Sequence, residues 1–176
     1  TNCERETVRA LAAHTGLAAD VVWHADSFPL DRYAAVVLPG GFAYGDHLRA
    51  GAIARFSPVR QGIQQFARAG GLVLGICNGF QVLVRAGLLP GLVDRTDQQV
   101  SFPRATLTEN VSAQFECRWI TLATLAGPCI FTQNIERSIE LPVAHGEGQF
   151  VLAGDISQLQ ASGQVPLSYI ARTGEL

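Results

Sequence analysis

The sequence predicts an α/β domain of the doubly wound kind, with a mostly parallel sheet and helices on both faces. Three observations carry this expectation. Apolar runs alternate with amphipathic stretches, strand then helix then strand, through the first half of the chain. Two of those runs, AAVVL (34–38) and LVLGI (72–76), are apolar throughout, as strands buried on both faces are. The chain has 176 residues, 48% hydrophobic and 16% charged, which fits one domain over 1–176 and excludes a disordered chain. A chain of this length buries a core without disulfides or metal.

The elements follow in order. Residues 4–15 (ERETVRALAAHT) suit a helix with Val8, Leu11 and Ala12 on one face, capped by Thr1 or Asn2 and stopped by Gly16. Residues 20–24 (DVVWH) read as a strand. Residues 34–38 form a buried parallel strand ended by Pro39-Gly40-Gly41. Residues 48–69 read as largely helical, interrupted near Ser57-Pro58, until Gly70-Gly71 stops them. The strand at 72–76 follows, then a helix from about 79 to Gly87. Residues 99–108, 117–124, 128–132, 139–144 and 165–171 read as shorter β segments, a small mixed extension. A first strand ahead of residue 4 and a closing C-terminal segment are expected and not seen, and the chain holds no Met, so Thr1 reads as other than the native start.

Composition narrows the function. The net charge is -2, which gives no basic face for nucleic acid. No apolar run approaches the roughly 18 residues of a membrane span. The chain contains no Lys. Its four Cys (Cys3, Cys77, Cys117, Cys129) lack C-x-x-C spacing and read as reduced thiols of a cytoplasmic protein, with no metal site.

The chemistry concentrates at Gly75-Ile76-Cys77-Asn78-Gly79. A Cys between a buried strand and an amphipathic helix is a nucleophile elbow with Cys in place of Ser. Gly75 and Gly79 leave room for a sharp turn, the positive end of the helix lies beside the sulfur, and the amide of Asn78 points where an oxyanion would form. A buried structural Cys before a Gly-rich turn fits the same five residues, and the strand-turn-helix setting is what favours the nucleophile. Neighbouring parallel strands share a crevice at their carboxyl ends. The turn Gly40-Gly41-Phe42 therefore brings a second donor, the amide of Gly41, unless it merely ends a strand. A Cys nucleophile needs a base with an orienter. Of His14, His24, His47 and His145, the last stands with Glu147 in an H-x-E pattern that shares one face of a strand. Trp23 and Trp119 read as packing.

PGGFAYGDHLRAGAIA (39–54), GICNGFQ (75–81), AGLLPG (86–91) and LPVAHGEGQF (141–150) resemble the class I (triad) glutamine amidotransferases. TNCERE (1–6) is similar to their first βα turn without its leading strand. The resemblance covers nearly the whole chain, and is strongest to the glutaminase subunits that serve an ATP-dependent synthetase of purine biosynthesis. It implies a flavodoxin-like, class I amidotransferase-like fold and hydrolysis of glutamine to glutamate and ammonia through a thioester on Cys77. Gly41 and Asn78 would hold the oxyanion, and Gly40, Phe42 and Gln81 would meet the glutamine, with Tyr44 beside Phe42. Asp46 and Arg49 would pair to shape the loop or face the synthetase. The implied partners are a large synthetase subunit and a small accessory one. This chain would bind no cofactor. ATP and magnesium would belong to the partner, as no G-x-x-x-x-G-K-[ST] motif occurs here.

One departure matters. The family takes its base and orienter from a His-Pro-Glu segment near the C-terminus, and this sequence contains none. The resemblance therefore places the triad His and Glu beyond Leu176 and reads AHGEG as a structural or pocket-edge element. His145 and Glu147 stand as the alternative base and orienter. Two rival readings stay open: a DJ-1/PfpI-like elbow-cysteine protein, which Gln81 and GGFAYGD weigh against, and a catalytically dead assembly subunit of the same fold.

Overall fold

The computed structural model describes residues 1–27, 29, 31–42, 51–91, 105–135 and 138–170. Tyr44, Asp46, His47, Arg49 and the start of the 48–69 helix lie outside the described residues. The chain forms two compact units, Thr1–Pro103 and Arg104–Leu176.

The first unit holds α1 (Glu4–Thr15), β1 (Ala35–Leu38), a 3-10 turn (Ile53–Phe56), α2 (Val59–Arg68), β2 (Leu72–Gly75) and α3 (Asn78–Arg85). α1 starts acidic at Glu4 and Glu6, and ends on Gly16, whose φ of 68° gives the left-handed cap that favours glycine. Its cap differs from the expectation: Cys3 occupies the N-cap position without a side-chain bond. Asn2 turns away to another task described below. β1 and β2 are parallel, in the register Ala35↔Leu72 to Leu38↔Gly75. The break at Ser57-Pro58 falls as expected between the 3-10 turn and α2. Leu38, Ile63, Val82 and Leu83 form the core, with Val36, Val59, Val73, Leu88 and Leu89 packed around them.

Residues 20–24 are not a strand. Val21 and Trp23 are exposed, and no described strand pairs with this segment. β-propensity without a partner ladder does not make a strand. The segment is held instead by the Val59 amide, which donates to the His24 carbonyl (3.2 Å), and by Trp23 against the His24 ring at 4.4 Å.

The second unit holds β3 (Ala105–Thr108), β4 (Glu116–Thr124), a 3-10 turn (Ile130–Thr132), β5 (Ile139–His145), β6 (Gln149–Leu152), α4 (Ile156–Ala161) and β7 (Leu167–Ile170). Its described strand pairs are all antiparallel rather than mixed: β3 with β6, and β4 between β5 and β7. Residues 128–132 form no strand; Ile130–Thr132 are a 3-10 turn, closed by the Thr132 amide and hydroxyl on the Cys129 carbonyl. β6 and α4 are additions to the expected elements. Ile120 and Leu122 of β4 are buried while Trp119 is exposed, so this tryptophan does not pack in the core.

Candidate active site

Cys77 stands between the end of β2 and the start of α3, with φ 51° and ψ −112°. This is a positive φ on a residue with a side chain, a conformation that costs energy and collects at functional sites. The thiol is exposed. Two glycines make the turn possible by close approach. A Cβ on Gly79 would run into the backbone carbonyl of Leu38, and one on Gly75 would sit 2.9 Å from the Gly79 backbone. α3 is thereby seated directly on the end of β1. The Ile76 amide extends the ladder by donating to the Leu38 carbonyl at 3.0 Å.

The parallel register sets the two carboxyl ends side by side, so the glycine turn after β1 meets the cysteine turn after β2. A Cβ on Gly40 would lie 3.3 Å from the Cys77 Cβ. Gly41 has φ 110°, which only glycine adopts without strain. Asn2 fixes this turn. Its amide donates to the Gly40 carbonyl (3.1 Å), as does the Cys3 amide (3.2 Å), and its Oδ1 accepts from the Phe42 amide (3.0 Å). Sequence reasoning missed this role because the partners are some forty positions apart and Asn before a helix reads as a cap. Phe42 leaves its ring exposed.

Asn78 opens α3, where the helix cannot satisfy its own first amides. Its side chain is buried at 3% exposure, and its Nδ2 donates to the Oε1 of Gln81 (3.1 Å), itself 8% exposed. Gln81 is thus a buried member of the elbow and not a solvated helix residue.

His145 and Glu147 belong to the second unit. β5 ends at His145, and Glu147 lies in the turn before β6, so the pair does not share a strand face. The orienter of His145 is Asn110. Asn110 Oδ1 accepts from the Gly148 amide (2.9 Å) and sits 2.9 Å from His145 Nδ1, while Nδ2 donates to the carbonyls of Gln114 and His145 (2.8 Å each). The Gly148 amide identifies which end of Asn110 is the oxygen, so Nδ1 of His145 carries the hydrogen. The Asn110 amide also donates to the Gly146 carbonyl (2.9 Å), and the imidazole packs on Gly148, where a Cβ would collide with it. AHGEG is therefore a turn built around a buried asparagine, a residue sequence reasoning did not single out. Glu116, the register partner of His145, has its carboxyl held below the usual range, chiefly by the Ser112 hydroxyl (2.6 Å) and then by Arg118 (3.2 Å).

Among the described residues no group of His, Cys, Asp and Glu could hold a metal ion, and no helix is long and apolar enough to cross a membrane.

A cysteine elbow on a parallel strand pair, faced by a glycine turn, is a site that glutamine amidotransferases share with other elbow-cysteine α/β proteins, and the family match decides between them. The chain belongs to the CobB/CobQ-like glutamine amidotransferase domain family, whose model matches residues 1–176. It is related to the PurQ subunit of phosphoribosylformylglycinamidine synthase. The subunit from Moorella thermoacetica is 41% identical over the whole chain and 70% of its own length. That from Chlorobaculum parvum is 40% identical over 99% of this chain and 64% of its own length, and that from a Synechococcus species 41% over 96% and 72%. Among solved structures, PurLQS from Thermotoga maritima aligns with a TM-score of 0.77 and 34% identity, over 97% of this chain and 70% of that one. The likeness supports the α/β fold, and the family excludes the DJ-1/PfpI-like reading.

Proposed function

We propose that this chain is the glutaminase subunit of phosphoribosylformylglycinamidine synthase, and that Cys77 is its nucleophile. The observation that carries the nucleophile is the positive φ of an exposed Cys77 beside Gly40, at the carboxyl ends of two parallel strands. The relatives carry the pathway. The Cys77 thiolate adds to the side-chain carbonyl carbon of glutamine. The amides of Gly41 and Asn78 hold the negative oxygen. The carbon–nitrogen bond breaks, the nitrogen takes the proton that the thiol had given up to the triad base, and ammonia leaves a glutamyl thioester. Water then adds, the carbon–sulfur bond breaks, and glutamate and the thiolate return.

Gly40, Phe42 and Gln81 meet the substrate. The β1–β2 pair is the centre of a doubly wound, mostly parallel sheet, and both units serve one amidotransferase domain over 1–176. The ammonia goes to a large synthetase subunit, with a small accessory subunit in the assembly. That partner uses ATP and magnesium, and this chain binds neither. The site of action is the cytoplasm. His145, tied to Asn110, serves the turn.

The test is an electrophilic glutamine analogue offered to the full-length protein in complex with its synthetase. The expected result is one covalent adduct, mapped by peptide mass spectrometry to Cys77 and suppressed by excess glutamine. A folded complex that makes product from glutamine yet takes no label at Cys77 would falsify the nucleophile. A folded complex with neither label nor glutamine use would be an assembly subunit without catalysis.

A further inference from the structure

We propose that the Asn78 side chain is a positioning residue: by donating to the carboxamide of Gln81 it aims that group for recognition of the substrate glutamine. The inference rests on the glutaminase reading, in which Gln81 meets the substrate and the Asn78 main chain holds the oxyanion. It assigns the Asn78 side chain a separate task.

Asn78 and Gln81 are three positions apart at the start of α3, so both project on the same helix face. The bond between them is 3.1 Å, within the ordinary range, and both side chains are buried. The backbone beneath them is fixed from three sides. The Gln81 amide donates to the Cys77 carbonyl (3.2 Å), the Gly79 amide to Ile76 (2.8 Å), and a Cβ on Gly51 would sit 2.9 to 3.0 Å from the Gln81–Val82 peptide. With the main chain held, the remaining freedom of Gln81 is its side-chain torsions. A carboxamide can rotate end for end and exchange donor for acceptor. The Asn78 donor favours the orientation that turns Oε1 toward it. A site that reads a polar substrate by hydrogen bonds depends on that choice, because a mismatched buried amide loses its bonds rather than trading them for water.

The experiment is a double-mutant cycle on the full-length protein in its complex, reading glutaminase kcat and KM. Asn78→Ala keeps the backbone amide and removes the donor. The expected result is a KM for glutamine raised roughly five- to tenfold with kcat changed less than twofold, the size of one lost hydrogen bond. Asn78→Ala added to Gln81→Ala should raise KM no further than Gln81→Ala alone. Asn78→Ser, which retains a donor on a shorter side chain and serves where the alanine variant does not fold, should fall between. Additive effects of the two substitutions, an unchanged KM in Asn78→Ala, or a loss confined to kcat would overturn the proposal. Failure of the glutaminase reading looks different: the unsubstituted complex would then not hydrolyse glutamine at all.

Discussion

At Cys77 a backbone that glycine would adopt freely carries a side chain instead. Holding a non-glycine residue there costs about 1–3 kcal/mol, and the cost persists where the side chain is needed. Cys77 is exposed, so removing its sulfur forfeits little packing. Two substitutions separate strain from chemistry. Cys77→Ala and Cys77→Gly should both abolish glutamine hydrolysis. Cys77→Gly should nevertheless be the more stable of the two by about 1 kcal/mol, since relief at positive φ exceeds the added chain entropy. Urea denaturation of both variants decides it. Equal midpoints, or a more stable alanine variant, would show that the elbow stores no strain. The elbow was legible at this scale because all of its signals lie within five consecutive residues. Asn2 and Asn110 were not, since each acts on residues some thirty-five to forty positions away.

Among the elements, the parallel strands at Ala35–Leu38 and Leu72–Gly75 and the helix starting at the elbow were readable from unbroken apolar strings, although burial on both faces is not what the structure shows: of these strand residues Leu38 alone is buried. The 20–24 segment has the same β-branched composition but finds no ladder, and local composition does not reveal a partner. α4 was missed for the opposite reason: at six residues it is too short for a periodic signal, and only its cap announces it. Asp155 Oδ1 accepts from the Ser157 amide (2.9 Å), and the Ser157 side chain first and then this amide hold the carboxyl below its ordinary range. The folded value is lowered, so the cap's contribution is complete above the ordinary carboxylate range. It fades as pH falls through the folded value. The protection of the α4 amides, measured against their intrinsic exchange rate at each pH, should therefore fall in acid ahead of the rest of the second unit. Asp155→Asn, an equally good cap that does not titrate, should remove that acid sensitivity while keeping the helix at neutral pH. Unchanged acid sensitivity in Asp155→Asn would assign the effect to some other group.

For the whole molecule, the proposed function makes ammonia at the elbow and uses it in the partner subunit. Those two steps are chemically separable. On the proposed function, glutamine hydrolysis needs the Cys77 thiolate, whereas amidation by the synthetase needs only its own substrate, ammonia and ATP, wherever the ammonia originates. A Cys77→Ala complex should lose glutamine-dependent product formation by at least about a thousandfold, the scale of losing a nucleophile. The same complex supplied with an ammonium salt in place of glutamine should form product at the rate of the unsubstituted complex under the same salt. This outcome requires that the substitution leave the fold and the docking intact, which an exposed side chain at a turn allows. If ammonium fails to restore synthesis while the unsubstituted complex uses it, Cys77 is holding the assembly together instead of attacking glutamine. A purely structural reading of the cysteine in the same five residues would then be the right one. If glutamine still supports synthesis in Cys77→Ala, the nucleophile lies elsewhere in the complex, and the geometry of the elbow serves the fold alone.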